Sequence, residues 1–229
     1  MLAQSTLDTR LRPLEAVKAA RRLFANPEET QHVFVILRAM RGRSGIRAFQ
    51  RFRTSAIGAR ILAERRILLT TLQDHRVLAA MGPDTLGGAY QRFMAQERLS
   101  AAGLVAPSRN FRDEPVSAEV ALFRDRMRDM HDLTHVLTGY GRDPLGELCL
   151  LAFTYPHNRN LGMALIVLMG FLRIKSWPVR RAVLEAWRHG RKARWLSDMD
   201  WEAMLPRQLN DLRRHFNIAA PTAYRAAMS

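Results

Sequence analysis

The stretch HDLTHVLTGYGRDPLGE, residues 131–147, contains one helix end, one tight turn and one helix start. Gly139 and Gly141 favour a reversal after the first helix, because glycine readily adopts the left-handed conformation that ends many helices. Asp143 and Pro144 restart a helix, since they place a capping carboxylate before a proline at the first helical position. The stretch therefore predicts two consecutive antiparallel helices that are close neighbours.

Apolar residues recur at helical spacing on both sides of this stretch, and no segment alternates as a half-buried strand does. The chain is therefore predicted to be all-α. Downstream of the turn, Pro156 is expected to end the second helix, the apolar run 161–172 to form the third, and Pro178 to open a fourth. The other predicted elements are helices at residues 117–138, 26–40 (ended by Gly42 and Gly45), 58–66 and 84–96, a loop at 101–115, and an amphipathic tail after Trp201.

The composition is that of a globular protein, with 48% hydrophobic and 25% charged residues. Because the 229 residues show no internal repeat and no Pro/Ser-rich linker, we predict a single compact domain over residues 1–229, with residues 1–12 flexible. Cys149 is the only cysteine, which excludes an internal disulfide and a cysteine-cluster metal site. Its apolar neighbours favour a core thiol over a nucleophile.

The chain is strongly basic, with 36 Lys and Arg against 21 Asp and Glu and a formal net charge of +15. Such a surface attracts anions, and net charge alone does not distinguish nucleic acid from an anionic membrane surface. Two Arg-rich clusters, at residues 38–53 and 188–194, suit anionic lipid headgroups. A nucleic-acid-binding protein is the remote alternative, because no helix-turn-helix signature, zinc finger or aromatic-rich basic groove accompanies the clusters. No nucleic-acid partner is therefore expected.

The apolar run 161–172 is too short to cross a bilayer, which takes about 20 residues. The first 13 residues show neither a signal-peptide core nor the arginine content of a transit peptide, so no targeting segment is predicted. Two interpretations of the run stay open. Ordinary core packing is favoured over a channel for an apolar tail, which would also use Met127, Met130, Met163 and Met169.

The residues with the clearest chemical pattern are His131, Asp132, His135 and Glu147. Histidines at i and i+4 project from one helix face and can share a metal ion. Glu147 lies in the first turn of the next helix and faces back toward His135. Asp132 fits a fourth ligand, a partner that fixes an imidazole tautomer, or a general base. This donor set suits zinc with an open position or iron(II), whereas the structural alternative is a set of hydrogen-bonded helix residues.

These positions spell His-Asp-x2-His-x11-Glu, and the chain resembles the fourth coenzyme Q (ubiquinone) biosynthesis protein family, whose hallmark is this motif. The resemblance covers most of the chain; the strongly cationic balance and residues 153–160 depart from it. Further similar segments are Leu86-Gly87-x2-Tyr90-x2-Phe93, Arg126-x-Arg128, and Asp200-Trp201-Glu202 through Leu212-Arg213 to Ile218.

The resemblance implies an all-helical protein at a membrane surface that takes part in ubiquinone biosynthesis. It implies that His131, Asp132, His135 and Glu147 bind a divalent metal, zinc in first place and iron(II) in second, without another cofactor. The implied activity is metal-dependent oxidative decarboxylation at ring carbon one of a polyprenylated hydroxybenzoate, a lyase-type reaction. The alternative is a non-catalytic, lipid-binding scaffold that organises the other biosynthetic enzymes.

Arg124 and Arg128, two turns and one turn before His131, are candidates to bind the ring carboxylate, with solvated surface charge as the alternative. The implied partners are a polyprenylated quinone precursor, an anionic membrane surface, the other ubiquinone-biosynthesis enzymes and a second copy of the chain. The implied location is the cytoplasmic face of a bacterial inner membrane, or else the matrix face of the mitochondrial inner membrane.

Overall fold

The protein is all-α, as predicted. A computed structural model describes residues 9–26, 29, 31–105 and 116–229, and these contain no β-strand, only an isolated bridge between Thr85 and Gln208. The N-terminal eight residues of the segment predicted to be flexible, and residues 106–115 of the predicted loop, lie outside the described residues. In chain order the helices are α1 (Pro13–Ala25), α2 (Gln31–Ala39), α3 (Ser44–Thr54), α4 (Ala56–Glu64), α5 (Leu68–Gln73), α6 (His75–Ala79), α7 (Leu86–Gln96), α8 (Ala118–Asp129), α9 (His131–Thr138), α10 (Pro144–Asn158), α11 (Leu161–Arg173), α12 (Trp177–Lys192), α13 (Trp201–Met204), α14 (Leu209–His215) and α15 (Thr222–Met228).

The long helix predicted over residues 117–138 is interrupted at Met130. This residue has φ −76° and ψ −4°, so its ψ departs from the helical value. The hydroxyl of Thr134 donates a 2.8 Å hydrogen bond to the Met130 carbonyl, a contact that often bends helices. The interruption makes His131 the first residue of α9, so the histidine pair lies on a helix of its own.

Pro156 does not end α10, which continues to Asn158. The expectation was wrong because a proline near a helix end removes a single backbone hydrogen bond, a loss that tertiary packing can outweigh. α10 packs along α12 at a very short distance. A Cβ atom at Gly190 would lie 2.0 Å from the Phe153 carbonyl oxygen, so only glycine permits this approach.

The helix predicted over residues 26–40 begins later, with α2 at Gln31. Asn26 instead follows α1, where its backbone N–H bonds the Arg22 carbonyl at 2.9 Å. Residues 27 and 28 of the predicted helix start lie outside the described residues. Gly42 has a left-handed φ of +52° and follows α2, whereas Gly45 lies inside α3 and terminates nothing.

The main core surrounds α9 and α10. Leu133 and Leu137 of α9 have no exposed surface, and Cys149 of α10 is fully buried beside them. The expectation of a core thiol at Cys149 is confirmed, and its burial raises the pKa of the thiol. Since α9 is anchored by these leucines, its opposite side carries the histidines in a fixed direction.

The apolar run 161–172 forms α11, as predicted, but only part of it is core. The exposed residues of the run are Leu161, Leu168 and Leu172, and the buried ones are Gly162, Ile166 and Gly170. No helix in the described parts of the chain is both long enough and apolar enough to cross a membrane.

Candidate metal centre

Two adjacent helices bring His131, His135 and Glu147 together. The rings of His131 and His135 lie one turn apart on α9, with centroids 4.7 Å apart and planes inclined by 71°. Glu147 reaches them from the first turn of α10. One potential ligand atom from each of the three residues lies within 4.8 Å of the others.

The individual distances fit a shared ion better than direct hydrogen bonds. Nε2 of His135 lies 3.5 Å from Oε1 of Glu147, and Nε2 of His131 lies 3.7 Å from Oε2. Hydrogen bonds between nitrogen and oxygen are usually about 2.7–3.2 Å long. Two ligands of a tetrahedral zinc ion, each about 2.1 Å from the metal, are about 3.4 Å apart. The two distances between Glu147 and the imidazoles are therefore close to the spacing of two ligands on one such ion.

His135 is oriented by the turn that follows its own helix. Its Nδ1 atom lies 3.0 Å from the carbonyl oxygen of Tyr140. Because a carbonyl only accepts, Nδ1 carries the proton and donates, which leaves a lone pair on Nε2. That Nε2 atom is buried and has no hydrogen-bond partner in the described parts of the chain. Phe93 of α7 stacks on the imidazole at 5.7 Å, so one wall of the site is apolar.

Asp132 contacts His131 from outside the cluster of three. Its Oδ1 atom lies 3.1 Å from Nδ1 of His131, which leaves Nε2 of this ring facing Glu147. Burial alone lowers the pKa of His131, but the hydrogen bond to Asp132 and the charge of Glu147 outweigh it and raise this pKa. Burial raises the pKa of Asp132, and its contact with His131 reverses this to a net lowering. The geometry is that of a carboxylate that orients an imidazole.

Arg142 is a neighbour of the site that the sequence motif does not include. Its Nε atom lies 3.7 Å from Oε1 of Glu147, and its side chain is about one third exposed. Burial raises the pKa of Glu147, whereas its contacts with His135, His131 and Arg142 lower it, with a net lowering. Glu147 is thus held as a carboxylate. The sequence feature that could have indicated Arg142 as a neighbour of the site is its position in the turn, directly before Asp143-Pro144.

Glycines let the connecting turn pass close to α10. Gly139 has φ +80°, a conformation that favours glycine at a helix end. A Cβ atom at Gly146 would lie 2.1 Å from the carbonyl oxygen of Gly141. The side chain of Asp143 accepts hydrogen bonds from the backbone N–H groups of Leu145 and Gly146, which confirms the predicted helix cap.

Two residues of the C-terminal part of the chain hold the end of α9 and the turn that leads into α10. Arg213 donates to the carbonyls of Leu137 at 2.9 Å and Val136 at 3.1 Å, at the end of α9. The Tyr224 hydroxyl donates a short hydrogen bond to Asp143 and accepts one from Gly141 N–H at 3.1 Å. Sequence reasoning did not reveal these contacts, although Arg213 lies in a segment singled out there, because the partners lie about 80 positions away.

The structure places Arg128 against acidic neighbours on its own helix. Its guanidinium lies 2.9 Å from Asp125 and 2.6 Å from Asp129, and its side chain is mostly buried. Arg124 lies one turn earlier on α8. The predicted role of these two arginines in carboxylate binding stays a prediction.

The methionines suggested for a tail channel make packing contacts. Met130 is buried in the main core, and Met127 packs partly buried against it. The sulfur of Met163 lies 4.0 Å from Oγ1 of Thr154 and 3.9 Å from Nδ2 of Asn158, between α10 and α11. Met169 packs against the smaller cluster formed by α1 and α2.

Together these features define a class of protein: all-helical, with two histidines and a carboxylate gathered across a helix–turn–helix. The sequence family described as Coenzyme Q (ubiquinone) biosynthesis protein Coq4 matches residues 6–222. The chain belongs to this family, and the resemblance inferred from the motif is confirmed.

Several relatives agree with this assignment, and a solved structure shares the fold. The chain is 27% identical over 169 residues to the mitochondrial ubiquinone biosynthesis protein COQ4 homolog of Drosophila ananassae, covering 70% of this chain and 60% of that protein. It is 29% identical over 204 residues to the homolog of Danio rerio, covering 86% and 72%. The COQ4 protein of Podospora anserina is 28% identical, with 75% of this chain and 56% of that protein covered. The chain thus spans somewhat over half the length of the Drosophila and Podospora relatives.

A candidate ubiquinone biosynthesis protein from Nostoc punctiforme, known from a crystal structure, shares the fold. Its TM-score is 0.63 at 19% identity, over 92% of this chain and 100% of that one.

Proposed function

We propose that this chain catalyses metal-dependent oxidative decarboxylation at ring carbon one of a polyprenylated hydroxybenzoate, a step of ubiquinone biosynthesis. The observation that carries the proposal is Nε2 of His135, which is buried and faces Glu147 at 3.5 Å without a hydrogen-bond partner in the described residues. An unpaired buried ring nitrogen is costly. A divalent ion held between this nitrogen, His131 and Glu147 would remove the cost.

The donor set suits zinc or iron(II). When bound, such an ion supplies a Lewis acid toward a carboxylate or phenolate oxygen, and iron(II) also supplies redox chemistry. His131, His135 and Glu147 hold the ion, and Asp132 orients His131 through its Nδ1 atom. In the overall reaction the bond between the ring and its carboxyl group breaks and carbon dioxide leaves, water supplies the oxygen atom that the ring carbon gains, and dioxygen accepts the two electrons and two protons to become hydrogen peroxide.

Arg142 is placed to bind the ring carboxylate. Its Nε atom is near Glu147 but makes no hydrogen bond within the described residues, and its side chain is partly exposed. Arg128, in contrast, lies within 3 Å of two carboxylates. A guanidinium binds a carboxylate through two parallel hydrogen bonds, so Arg142 can orient the substrate beside the ligands. Phe93, stacked on His135, contributes an apolar wall that limits the access of water.

The protein is further proposed to act at the surface of a membrane, where a polyprenylated precursor is dissolved, together with the other ubiquinone-biosynthesis enzymes. The net charge of +15 supports an anionic membrane surface. The relatives from Drosophila ananassae and Podospora anserina are described as mitochondrial, which supports the matrix face of the mitochondrial inner membrane. The cytoplasmic face of a bacterial inner membrane is the other location compatible with the chain.

The test uses a substrate labelled in the carboxyl group. Purified protein, loaded with zinc or with iron(II), is given a polyprenyl hydroxybenzoate with a 13C carboxyl group under air, and labelled carbon dioxide and the ring product are measured by mass spectrometry. We expect release from the wild type, none from His135→Ala, and normal release from the control His75→Ala, since His75 is exposed on α6. Metal-loaded wild type that binds partner enzymes but releases no label would favour the scaffold function instead.

A further inference from the structure

α11 turns three of its large apolar side chains toward solvent, while two of its glycines face the protein. Leu161, Leu168 and Leu172 are 44%, 55% and 65% exposed. At 100° per residue, these three positions fall within about 40° of one another around the helix axis. The buried positions of the same helix are Gly162, Ile166 and Gly170. A helix on the surface of a water-soluble domain usually shows the opposite arrangement.

Close contacts at two glycines oppose a rotation of the helix that would bury these leucines. A Cβ atom at Gly162 would lie 2.7 Å from the Ile36 carbonyl oxygen of α2. A Cβ atom at Gly170 would lie 2.7 Å from Cδ1 of Leu148 on α10. The backbone contact leaves no room for a side chain at Gly162, and Leu148 would have to shift to admit one at Gly170, so this side of the helix favours small residues.

A further exposed apolar side chain follows the helix in sequence, with positively charged residues beside it. Trp177, at the start of α12, is 63% exposed. Lys175 and Arg181 are exposed on either side of it. Arg173 covers the ring of Phe24 at 4.5 Å, and Arg180 donates to the Ile174 carbonyl at 2.7 Å. No acidic residue occurs between Glu147 and Glu185.

We propose that Leu161, Leu168, Leu172 and Trp177, here called the leucine face, dock the protein onto an anionic lipid bilayer. The leucines would enter the boundary between headgroups and acyl chains. Trp177 is an amphipathic ring of the kind that is enriched at this depth. Lys175 and Arg181 would contact the anionic headgroups, each with a contribution that corresponds to about fivefold in binding.

The charge around the face favours a bilayer over a second copy of the chain. Two copies that met through the leucine face would bring Lys175 and Arg181 of each toward the same residues of the other, with no acidic side chain between Glu147 and Glu185 to compensate. Like charges at an interface oppose association. An anionic bilayer complements both the apolar stripe and its basic border.

The helix that carries the face contacts the residue that follows Glu147. Gly170 on its inner side packs against Leu148, the residue that follows Glu147. Docking through α11 would therefore hold the start of α10 near the bilayer, where a polyprenylated substrate is dissolved. The inference rests on the proposed membrane location and adds the surface that mediates it; it does not depend on whether the protein is catalytic.

Vesicle binding tests the proposal. Partitioning of the full chain is measured by flotation with phosphatidylcholine vesicles that contain or lack phosphatidylglycerol. We expect Leu168→Gln/Leu172→Gln to lower the partition coefficient about tenfold or more, because two apolar side chains no longer leave water on docking. The matched control is Ile67→Gln/Val77→Gln, at residues that are 56% and 45% exposed elsewhere, and it should bind as the wild type does. Lys175→Gln/Arg181→Gln should weaken binding to the anionic vesicles and leave binding to the neutral ones unchanged.

A second measurement distinguishes a loss of membrane contact from a loss of folding. Brominated lipids should quench the fluorescence of the wild type, and Trp177→Phe should lose most of this quenching while keeping its far-UV circular dichroism. If both apolar double variants bind as the wild type does, another surface mediates membrane binding and the leucine face is excluded. Failure of the wild type to bind any vesicle would overturn both the face and the membrane location. A loss of dimers in Leu168→Gln/Leu172→Gln at unchanged vesicle binding would assign the face to a second copy.

Discussion

Nδ1 of His135 lies 3.0 Å from the carbonyl oxygen of Tyr140, so a metal-binding candidate is oriented by the backbone of the turn that follows its helix. The same turn leads into α10 and Glu147. The direction of the His135 ring and the position of Glu147 are therefore set by one short segment. Disturbing this turn should affect metal binding even where no ligand is replaced.

Glu147→Gln is expected to lose bound metal. The substitution keeps the size of the side chain but removes the charge that faces both imidazoles at 3.5 and 3.7 Å. Metal content of protein purified without chelator, measured by mass spectrometry of the metal, should fall from about one ion per chain to a small fraction of that value. Glu97→Gln, at an exposed position after α7, serves as the control and should keep its metal. Equal metal content in the two variants would mean that Glu147 is not a ligand.

Asp132→Asn should weaken metal binding without abolishing it. Asp132 contacts His131 at Nδ1 and lies outside the cluster of three, so its loss frees the ring and lowers its basicity. Replacement of such an outer partner typically reduces metal affinity about 10- to 100-fold. Competition with a chromogenic chelator measures the change. A loss as complete as that of Glu147→Gln would instead make Asp132 a direct ligand.

Local features of the candidate metal centre were predictable from the sequence. The four-residue spacing places two histidines on one helix face whatever surrounds the helix. Asp143-Pro144 specifies a helix start through groups within three residues of each other, and Gly139 specifies the reversal through its backbone conformation. Such signals depend on local backbone chemistry, so they survive without knowledge of the tertiary structure.

The features that the sequence did not reveal depend on distant contacts. The apolar run of α11 has the same composition whichever side faces the protein, and only its neighbours α2 and α10 decide that the leucines point outward. Pro156 would end an isolated helix but lies within α10, because packing against α12 outweighs the lost hydrogen bond. The contacts of Arg213 and Tyr224 with the turn region were not foreseen for the same reason.

Gly146→Ala should destabilise the protein and reduce its metal content. Its added methyl group would lie 2.1 Å from the Gly141 carbonyl oxygen, so the turn must separate from α10. We expect a loss of about 1–3 kcal/mol in the free energy of unfolding, measured by urea denaturation. Gly82→Ala is the matched control, since a methyl group there would lie 3.8 Å from its nearest neighbour, Thr85 Cγ2. Equal stability of both variants would contradict the close approach.

Arg213→Ala should lower the stability of α9. Its guanidinium is the donor to the carbonyls of Leu137 and Val136, and these two acceptors would lose a charged partner. The expected loss is about 1–3 kcal/mol, with faster hydrogen exchange of the α9 amides. Arg214→Ala is the control, because Arg214 forms an exposed pair with Asp211 that contributes about 0–1 kcal/mol. Similar losses in the two variants would argue against a capping role for Arg213.

Protonation of the Asp200 carboxylate should lower the stability of the protein at acidic pH. Its buried carboxylate lies 2.7 Å from Arg66 and 2.5 Å from Arg60, and it also accepts from the backbone N–H of Ala203. Burial raises the pKa of Asp200, but the hydrogen bonds from Arg66, Ala203 and Arg60 reverse this and leave the pKa below its ordinary value. The folded state therefore holds this proton more weakly than the unfolded chain does.

The sign of the effect follows from this lowered pKa. The stabilisation is complete well above the unfolded pKa of about 3.9 and is lost as the pH falls through that value toward the folded pKa. Asp200→Asn should cost about 1–3 kcal/mol at neutral pH and flatten the fall in unfolding free energy between about pH 5 and pH 3. Urea titrations across this range measure both effects. Asp211→Asn, at an exposed carboxylate, should leave the profile unchanged. If Asp200→Asn retains the full acid dependence of the wild type, other carboxylates cause it and the bonds to Arg66 and Arg60 contribute little.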